Sequence, residues 1–350
     1  ELTADLPTAT HVLQYALIVK HKSTLRKLIL SGDRISALGY DETREIEELV
    51  EDAEKTLFSV SQNFVKDKFV HIKDVLAQTY ERISELHDPQ TKEKYLGLPT
   101  GFRSLDNILS GLQPSELIII AARPSMGKTA FALNIAQNIA RRNRGVGIIS
   151  LEMAKEQLVE RMFCSHLGVD SWKLRTGKLT DEDFARIGAV MDELTQTHIY
   201  IDDSSGNSIT ELRTKARRLK AEHGLDMLIV DYLQMMSFAR PSNGSYQINR
   251  VQEISEISRA LKNLARELKI PVVALSQLSR AVENRPSKIP QLSDLRESGA
   301  IEQDADVVMM MYREDYYEED SERKGITDIY LRKHRNGPTG KVELYFDQNK

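Results

Sequence analysis

Apolar residues recur through the first part of the chain at steps of three and four. Ile46, Leu49, Val50, Ala53 and Leu57 share one side of a helix, and Ile72, Val75, Leu76, Thr79, Tyr80, Ile83 and Leu86 do the same over 71–87. Positions 10–30 give a third helical stretch, so residues 1–98 read as wholly helical. From Leu98 the pattern changes to short apolar runs alternating with helical stretches. Leu117–Ala121 precedes 128–141, Val146–Leu151 precedes 155–167, and Ile199–Asp202 precedes 208–223. Met227–Asp231 then precedes 249–268, which leads to Pro271–Ser276. Such alternation predicts parallel strands joined by crossover helices. Beyond Asp304 the apolar runs at 306–312, 326–332 and 341–346 come closer together and read as closing strands. Ser208 and Glu211 have the spacing of a capping box.

Three domains follow from this pattern: a helical segment over 1–62, a linker over 63–97 and an α/β domain over 98–350. Three amphipathic helices most simply pack on one another. The helix at 71–87, however, stands between the polar run Ser61–Lys68 and the turn-like His87-Asp88-Pro89-Gln90. An apolar stripe between two linkers needs something to cover it.

Composition narrows the class. The chain has 350 residues, 41% of them hydrophobic and 29% charged, which suits a folded globular protein. Its net charge of −4 supplies no global attraction for nucleic acid, so any such site must be local. The single cysteine, Cys164, excludes an internal disulfide framework and a multi-cysteine zinc site. No apolar run approaches the length of a membrane span, and no secretory signal is evident, which gives a cytoplasmic expectation. The sequence opens at Glu1 in an already helical pattern, as a fragment lacking its N-terminal part would.

The chemistry begins at Ala122-Arg123-Pro124-Ser125-Met126-Gly127-Lys128-Thr129-Ala130. The common phosphate-loop spelling is G-x-x-x-x-G-K-[ST], and here alanine holds the first position. The context still fits, because an apolar strand leads in and a helix leads out, which aims backbone N–H groups and a positive helix end at phosphate. Gly127 is the position where a side chain would obstruct the phosphate; the first position only begins the turn. Lys128 would face the β- and γ-phosphates, and Thr129 would offer a hydroxyl to Mg²⁺.

Three more polar residues fall at predicted strand ends, which line the ligand crevice of an open parallel sheet. Asp231 closes Leu228-Ile229-Val230 and suits a metal-binding carboxylate. Glu152 follows Ile148-Ile149-Ser150-Leu151; it could activate a water, or equally act as a helix cap or solvated acid. Gln277 follows Val272–Ser276 and could sense a γ-phosphate. Further on, Leu331–Gly340 carries cations and no acid between Asp328 and Glu343. A cationic hairpin is usually a solvated edge, but these cations could also reach a neighbour's phosphate. The stretch Arg280–Gly299 is only marginally basic and poor in aromatics, suited to backbone phosphates rather than base stacking.

Taken in order, A-A-R-P-S-M-G-K-T-A, I-S-L-E-M, I-V-D-Y-L-Q, A-L-S-Q-L-S-R, D-L-R-E-S-G-A-I-E-Q-D-A-D and K-H-R-N-G-P-T-G resemble the bacterial replicative DNA helicases of the DnaB family over essentially all of 98–346. That family has alanine at the position of Ala122. The resemblance implies a RecA-like P-loop ATPase domain with a mostly parallel sheet, working as a homo-hexamer around single-stranded DNA. It makes residues 1–60 the C-terminal part of a helical N-terminal domain and 70–88 a linker helix docking on a neighbouring subunit. Lys128 and Thr129 then bind ATP and Mg²⁺, Asp231 holds the metal, Glu152 activates water, and Gln277 links the γ-phosphate to DNA-facing loops. Lys333 and Arg335 would act in the adjacent subunit's site. Arg296, Glu297 and Gly299 match a central-channel loop that meets DNA, and 237–249 is expected to be a mobile DNA-facing loop. Primase and a helicase loader are implied partners. Two other readings stay open: a recombinase filament on the same fold, and a nucleotide-dependent regulatory protein that does not translocate.

Overall fold

The computed structural model describes residues 12–41, 43–62, 71–88, 96–204, 208–237, 250–295, 299–318 and 320–348. Two compact units divide between Glu85 and Leu86. The first holds α1 (Val12–Leu38) and α2 (Ile46–Gln62), which lie against each other, and most of α3 (Ile72–His87). Arg44 bridges to Glu48 and Asp52 at the start of α2, tying the turn to the helix. The apolar stripes predicted for α2 and α3 are present, and no described residue covers them. Ile46, Val50 and Leu57 are exposed, as are Ile72, Val75, Leu76, Tyr80 and Ile83.

The second unit is built on an eight-stranded sheet. Its strands are β1 (Leu117–Ala122), β2 (Val146–Ser150), β3 (Ile199–Asp202), β4 (Met227–Asp231), β5 (Val272–Gln277), β6 (Val307–Tyr312), β7 (Ile326–His334) and β8 (Gly340–Tyr345). Their order is β3-β2-β4-β5-β1-β6-β7-β8. The first six in this order run parallel, and β7 and β8 add an antiparallel edge. All six residues of β1 are buried, as expected of a parallel strand covered on both faces.

Alternate residues of that strand feed two separate cores. Ile118, Ile120 and Ala122 face one cluster with Leu105 and Leu109 of α4 (Arg103–Leu109), Phe131 and Ile135 of α5 (Lys128–Ala140), and Leu158 and Met162 of α6 (Lys155–Leu167). Leu117, Ile119 and Ala121 face the other, with Leu212 and Ala216 of α9 (Ile209–Glu222) and Ile254, Ile257, Leu261 and Leu264 of α10 (Arg250–Leu268). Ile301 of α11 (Gly299–Asp304) completes this second layer. The period of two in β1 and of three to four in α10 therefore meet at the same surface.

Between α6 and β3 the chain makes α7 (Ser171–Arg175) and α8 (Asp181–Thr195), neither of which was expected. They enclose a small core of Leu167, Val169 and Val190. A full capping box starts α8, with Thr180 and Asp183 bonding each other's backbone amides. The expected box at Ser208 is only half formed. Ser208 Oγ accepts from the Thr210 amide at 3.3 Å, but Glu211 turns to pair with Lys215, which offers it a full charge instead of an amide.

Candidate active site

The cleft forms where the C-terminal ends of β1, β2, β4 and β5 meet. Register puts Ala122 beside Gln277 and Ser150 beside Asp231. The loop from Arg123 to Gly127 rises from β1 and drops into α5, whose first backbone N–H groups have no partner within the helix. Two residues of the loop sit at positive φ, Ser125 at 63° and Gly127 at 90°. Gly127 is required twice over: its backbone is left-handed, and a Cβ there would lie 2.5 Å from the Phe346 ring. The close neighbour at this glycine is thus an aromatic side chain from beyond β8, which lines the adjoining hollows.

Lys128, Thr129 and Asp231 form one cluster. Thr129 Oγ1 donates to Asp231 Oδ2 at 2.7 Å, and Lys128 Nζ lies 3.8 Å from Asp231 Oδ1. Lys128 also sits over the Tyr232 ring, 4.6 Å from its centre. Burial pulls the Lys128 ammonium below its ordinary pKa, while the charges of Asp231 and Glu152 resist that shift. Asp231 Oδ1 is itself buried and accepts no hydrogen bond. A buried carboxylate oxygen next to a hydroxyl is the hard-oxygen chemistry that Mg²⁺ takes, so these residues fit that ion.

Glu152 is exposed and borders the same cleft as Lys128, Thr129 and Gln277, a space of about 280 Å³. Its turn is locked. Ser150 Oγ donates to the Met153 carbonyl at 2.6 Å and accepts from the Met153 amide at 3.2 Å, while the Leu151 amide bonds the Asp231 carbonyl at 2.7 Å. Gln277 is anchored by Gln234, whose side chain accepts from the Gln277 amide at 3.2 Å and donates to its carbonyl and to Ser276 Oγ. Ser150, Gln234 and the cleft-lining Arg161 were not foreseen. The first two act through contacts that a one-dimensional pattern does not display.

Not every residue of the loop meets the cleft in the expected way. Ala122, Pro124 and Ser125 border it. Arg123 borders it too, but its guanidinium is committed to Glu283 at 2.8 Å and the Leu278 carbonyl at 2.8 Å, so it braces the loop. Met126 is buried in the core, and Ala130, at the start of α5, faces the adjoining hollows.

Lys333 and Arg335 lie elsewhere. They flank His334 at the end of β7, where Val307, the first residue of β6, pairs with His334 and also with Ile118 of β1. That is the opposite end of the strands from the phosphate loop, on the order of 15 Å away at the rise of a strand. Lys333 Nζ donates to the Glu302 and Gln303 carbonyls, and Arg335 Nη1 meets Asp306 Oδ1 at 3.3 Å. Arg296 and Glu297 lie outside the described residues, as do 238–249; Gly299 begins α11. Within Arg280–Gly299, Arg285 is taken by Asp294 at 2.6 Å and Lys288 lies over the Tyr317 ring.

A strand, a left-handed glycine, a lysine-threonine helix start and a strand-end aspartate within bonding distance define a P-loop ATPase with a RecA-like sheet. Residues 97–350 match the family described as DnaB-like helicase C terminal domain. The chain is 50% identical to the replicative DNA helicase DnaC of Bacillus subtilis and 51% identical to the replicative DNA helicase DnaB of Geobacillus stearothermophilus. Each match covers 99% of this chain and 75% of the relative. Among solved structures, it superposes on a DnaB-like replicative helicase described with its primase interactions (TM-score 0.82, 35% identity, 99% of this chain and 80% of that one). It also superposes on a second solved structure, described as an ATPase domain (TM-score 0.74, 38% identity, 81% of this chain and 97% of that one). The chain belongs to the DnaB-like family of replicative DNA helicases, enzymes that couple ATP hydrolysis to helicase action.

Proposed function

We propose that this chain works as one of six copies in a ring that encircles single-stranded DNA and pulls it through a central channel, separating duplex at the replication fork. One observation carries the reading: the phosphate loop and the cations Lys333 and Arg335 stand at opposite ends of the strands of one sheet. A subunit cannot bring both to the same nucleotide, whereas head-to-tail neighbours can, and head-to-tail contacts form a ring when the rotation from copy to copy closes. Lys128 and the amides of Gly127 to Ala130 bind the phosphates of ATP. Thr129 and Asp231 hold Mg²⁺, which neutralises developing phosphate charge when bound. Glu152, fixed by its locked turn, orients the attacking water and takes its proton. Arg335 and Lys333 of the adjacent subunit offset transition-state charge, a contribution of roughly 10³–10⁵ in rate for such groups.

Gln277 carries the state of the γ-phosphate toward the DNA-facing loop 237–249 and toward Arg296, Glu297 and Gly299, which meet DNA phosphates. Residues 1–62 form part of a helical N-terminal domain and 63–97 a linker, whose α3 stripe packs on a neighbouring copy. One relative of known structure is described with primase, which makes primase a partner here too, with a helicase loader; the place of action is the fork in the nucleoid. No described helix is long and apolar enough to cross a membrane.

Electron microscopy with single-stranded DNA and a non-hydrolysable ATP analogue tests this reading, together with unwinding of a forked duplex. Closed six-membered rings and ATP-dependent unwinding are expected. Open filaments would favour a recombinase, and hydrolysis indifferent to DNA would favour a regulatory protein.

A further inference from the structure

Asp306 sits between α11 and β6, at the end of the sheet away from the phosphate loop, and its side chain is only 4% exposed. Its carboxylate holds three things at once. Oδ2 accepts from the Leu117 amide at 2.8 Å and from Lys262 Nζ of α10, and Oδ1 accepts from Arg335 Nη1. The backbone repeats the grip, with the Asp306 amide on the Leu117 carbonyl at 2.9 Å and the Arg335 amide on the Asp306 carbonyl at 2.8 Å. One residue further along the hairpin, Asn336 Nδ2 donates to Glu116 Oε1 at 2.9 Å. Glu116 immediately precedes β1, so both anchors of the cationic hairpin land on the entrance of that strand. Arg335 nevertheless keeps 57% of its side chain exposed, enough to meet another molecule.

We infer that Asp306, seconded by Glu116, is the positioning residue for the trans-acting Arg335, fixing it to the start of the strand whose far end carries the nucleotide loop. The inference rests on the shared-site reading above. It adds that β1 is a strut joining two half-sites of one subunit: Leu117 is tied through Asp306 to the Arg335 offered to a neighbour, and Ala122 leads into the loop that binds the subunit's own ATP. A buried acid is needed for this, because a guanidinium on an exposed hairpin would otherwise spread over many rotamers before meeting phosphate. Lys262 balances the remaining charge, so the carboxylate stays paired while Arg335 leans outward.

The experiment uses the full chain in assembled form. Asp306→Asn keeps the shape and the oxygen that accepts from Leu117 but removes the charge that orients Arg335. The expected result is a fall in kcat of about 10², the scale of a small misplacement of a catalytic group, with KM for ATP held. Mixed with Glu152→Gln subunits, which keep intact cations but lack the water-activating acid, Asp306→Asn subunits should regain hydrolysis. A loss confined to the variant's own fold would not be restored that way. The pair Arg335→Ala with Glu152→Gln runs alongside. Rescue there without rescue of Asp306→Asn overturns this inference alone; no rescue in either mixture overturns the shared site and the inference with it. Asn336→Ala, an exposed position, provides the second variant should Asp306→Asn not fold. It should give a smaller but equally rescuable loss of kcat, and an unchanged kcat there counts against the proposal.

Discussion

The two ends of the parallel strands handle charge in opposite ways. At the C-terminal end, Lys128, Thr129 and Asp231 are drawn in and close upon one another, with one buried carboxylate oxygen still accepting nothing. At the other end, Arg335 is held by Asp306 through one guanidinium nitrogen and its backbone amide but stays more than half in solvent. The first arrangement suits a pocket that awaits a polyphosphate and a cation; the second suits a group delivered outward to a partner. Burial and tethering are therefore separable: a site needs groups withdrawn from water, whereas a delivered cation needs one anchoring contact that leaves the rest of its head group in solvent.

Removing the lysine from the inward end should have the largest effect. Lys128→Ala is expected to abolish ATP turnover while leaving thermal unfolding of the unliganded protein close to wild type, since that ammonium is already disfavoured by burial. Turnover assays with melting curves check both halves. Removing the cation of the outward end comes next: Arg335→Ala should cost about 10³ or more in kcat while nucleotide binding persists. Binding of a fluorescent ATP analogue to Arg335→Ala, set beside its steady-state rate, separates the two ends directly.

A third test stays at the inward end but touches no ligand. Gln234→Leu strands the Gln277 amide and carbonyl, and about 1–3 kcal/mol of lost anchoring implies a drop of roughly tenfold in DNA-stimulated hydrolysis. Basal hydrolysis should change less; equal losses in both would remove Gln277 from the link to DNA. The smallest effect on turnover is expected from Arg323→Met. Arg323 bonds Asp328 with both guanidinium nitrogens, at 2.8 and 2.7 Å, beside the β7–β8 pair. Burial raises the Asp328 pKa, but Arg323 and Lys341 outweigh it and the carboxyl ends below its ordinary value. A depressed carboxylate stabilises the fold above its unfolded pKa of about 4, and that stabilisation fades as pH falls through the depressed value. Because Lys341 still pairs with Asp328, the variant should lose about 1.5 kcal/mol at neutral pH and show a shallower decline in acid, read from melting temperatures across pH.

Much of this was open to sequence reasoning, and for identifiable reasons. The alternation of apolar runs and amphipathic stretches located all eight strands because buried parallel strands are almost uniformly apolar, as β1 and β6 are. Lys128, Thr129, Asp231, Glu152 and Gln277 were found together because each stands where a strand ends or a helix begins. What escaped notice depends on contacts between distant parts of the chain. Gln234 matters through Gln277 across the sheet, and the place of Arg123 in the loop motif does not display its bond to Glu283. Helix α8 was overlooked although Thr180 and Asp183 spell its start, since its partners form only a small satellite core. The exposure of the α2 and α3 stripes was half anticipated, for α3 alone.

Phe346 carries a consequence for how the molecule can be cut. Its ring rests on Gly127 and on the Arg313 guanidinium, and its amide is bonded to the Gly325 carbonyl at 2.7 Å. A shortened version stopping at Tyr345 would retain every described strand and still lose the ring that rests on Gly127. The segment that follows β8 is therefore part of the phosphate loop's support and not merely an end to the sheet.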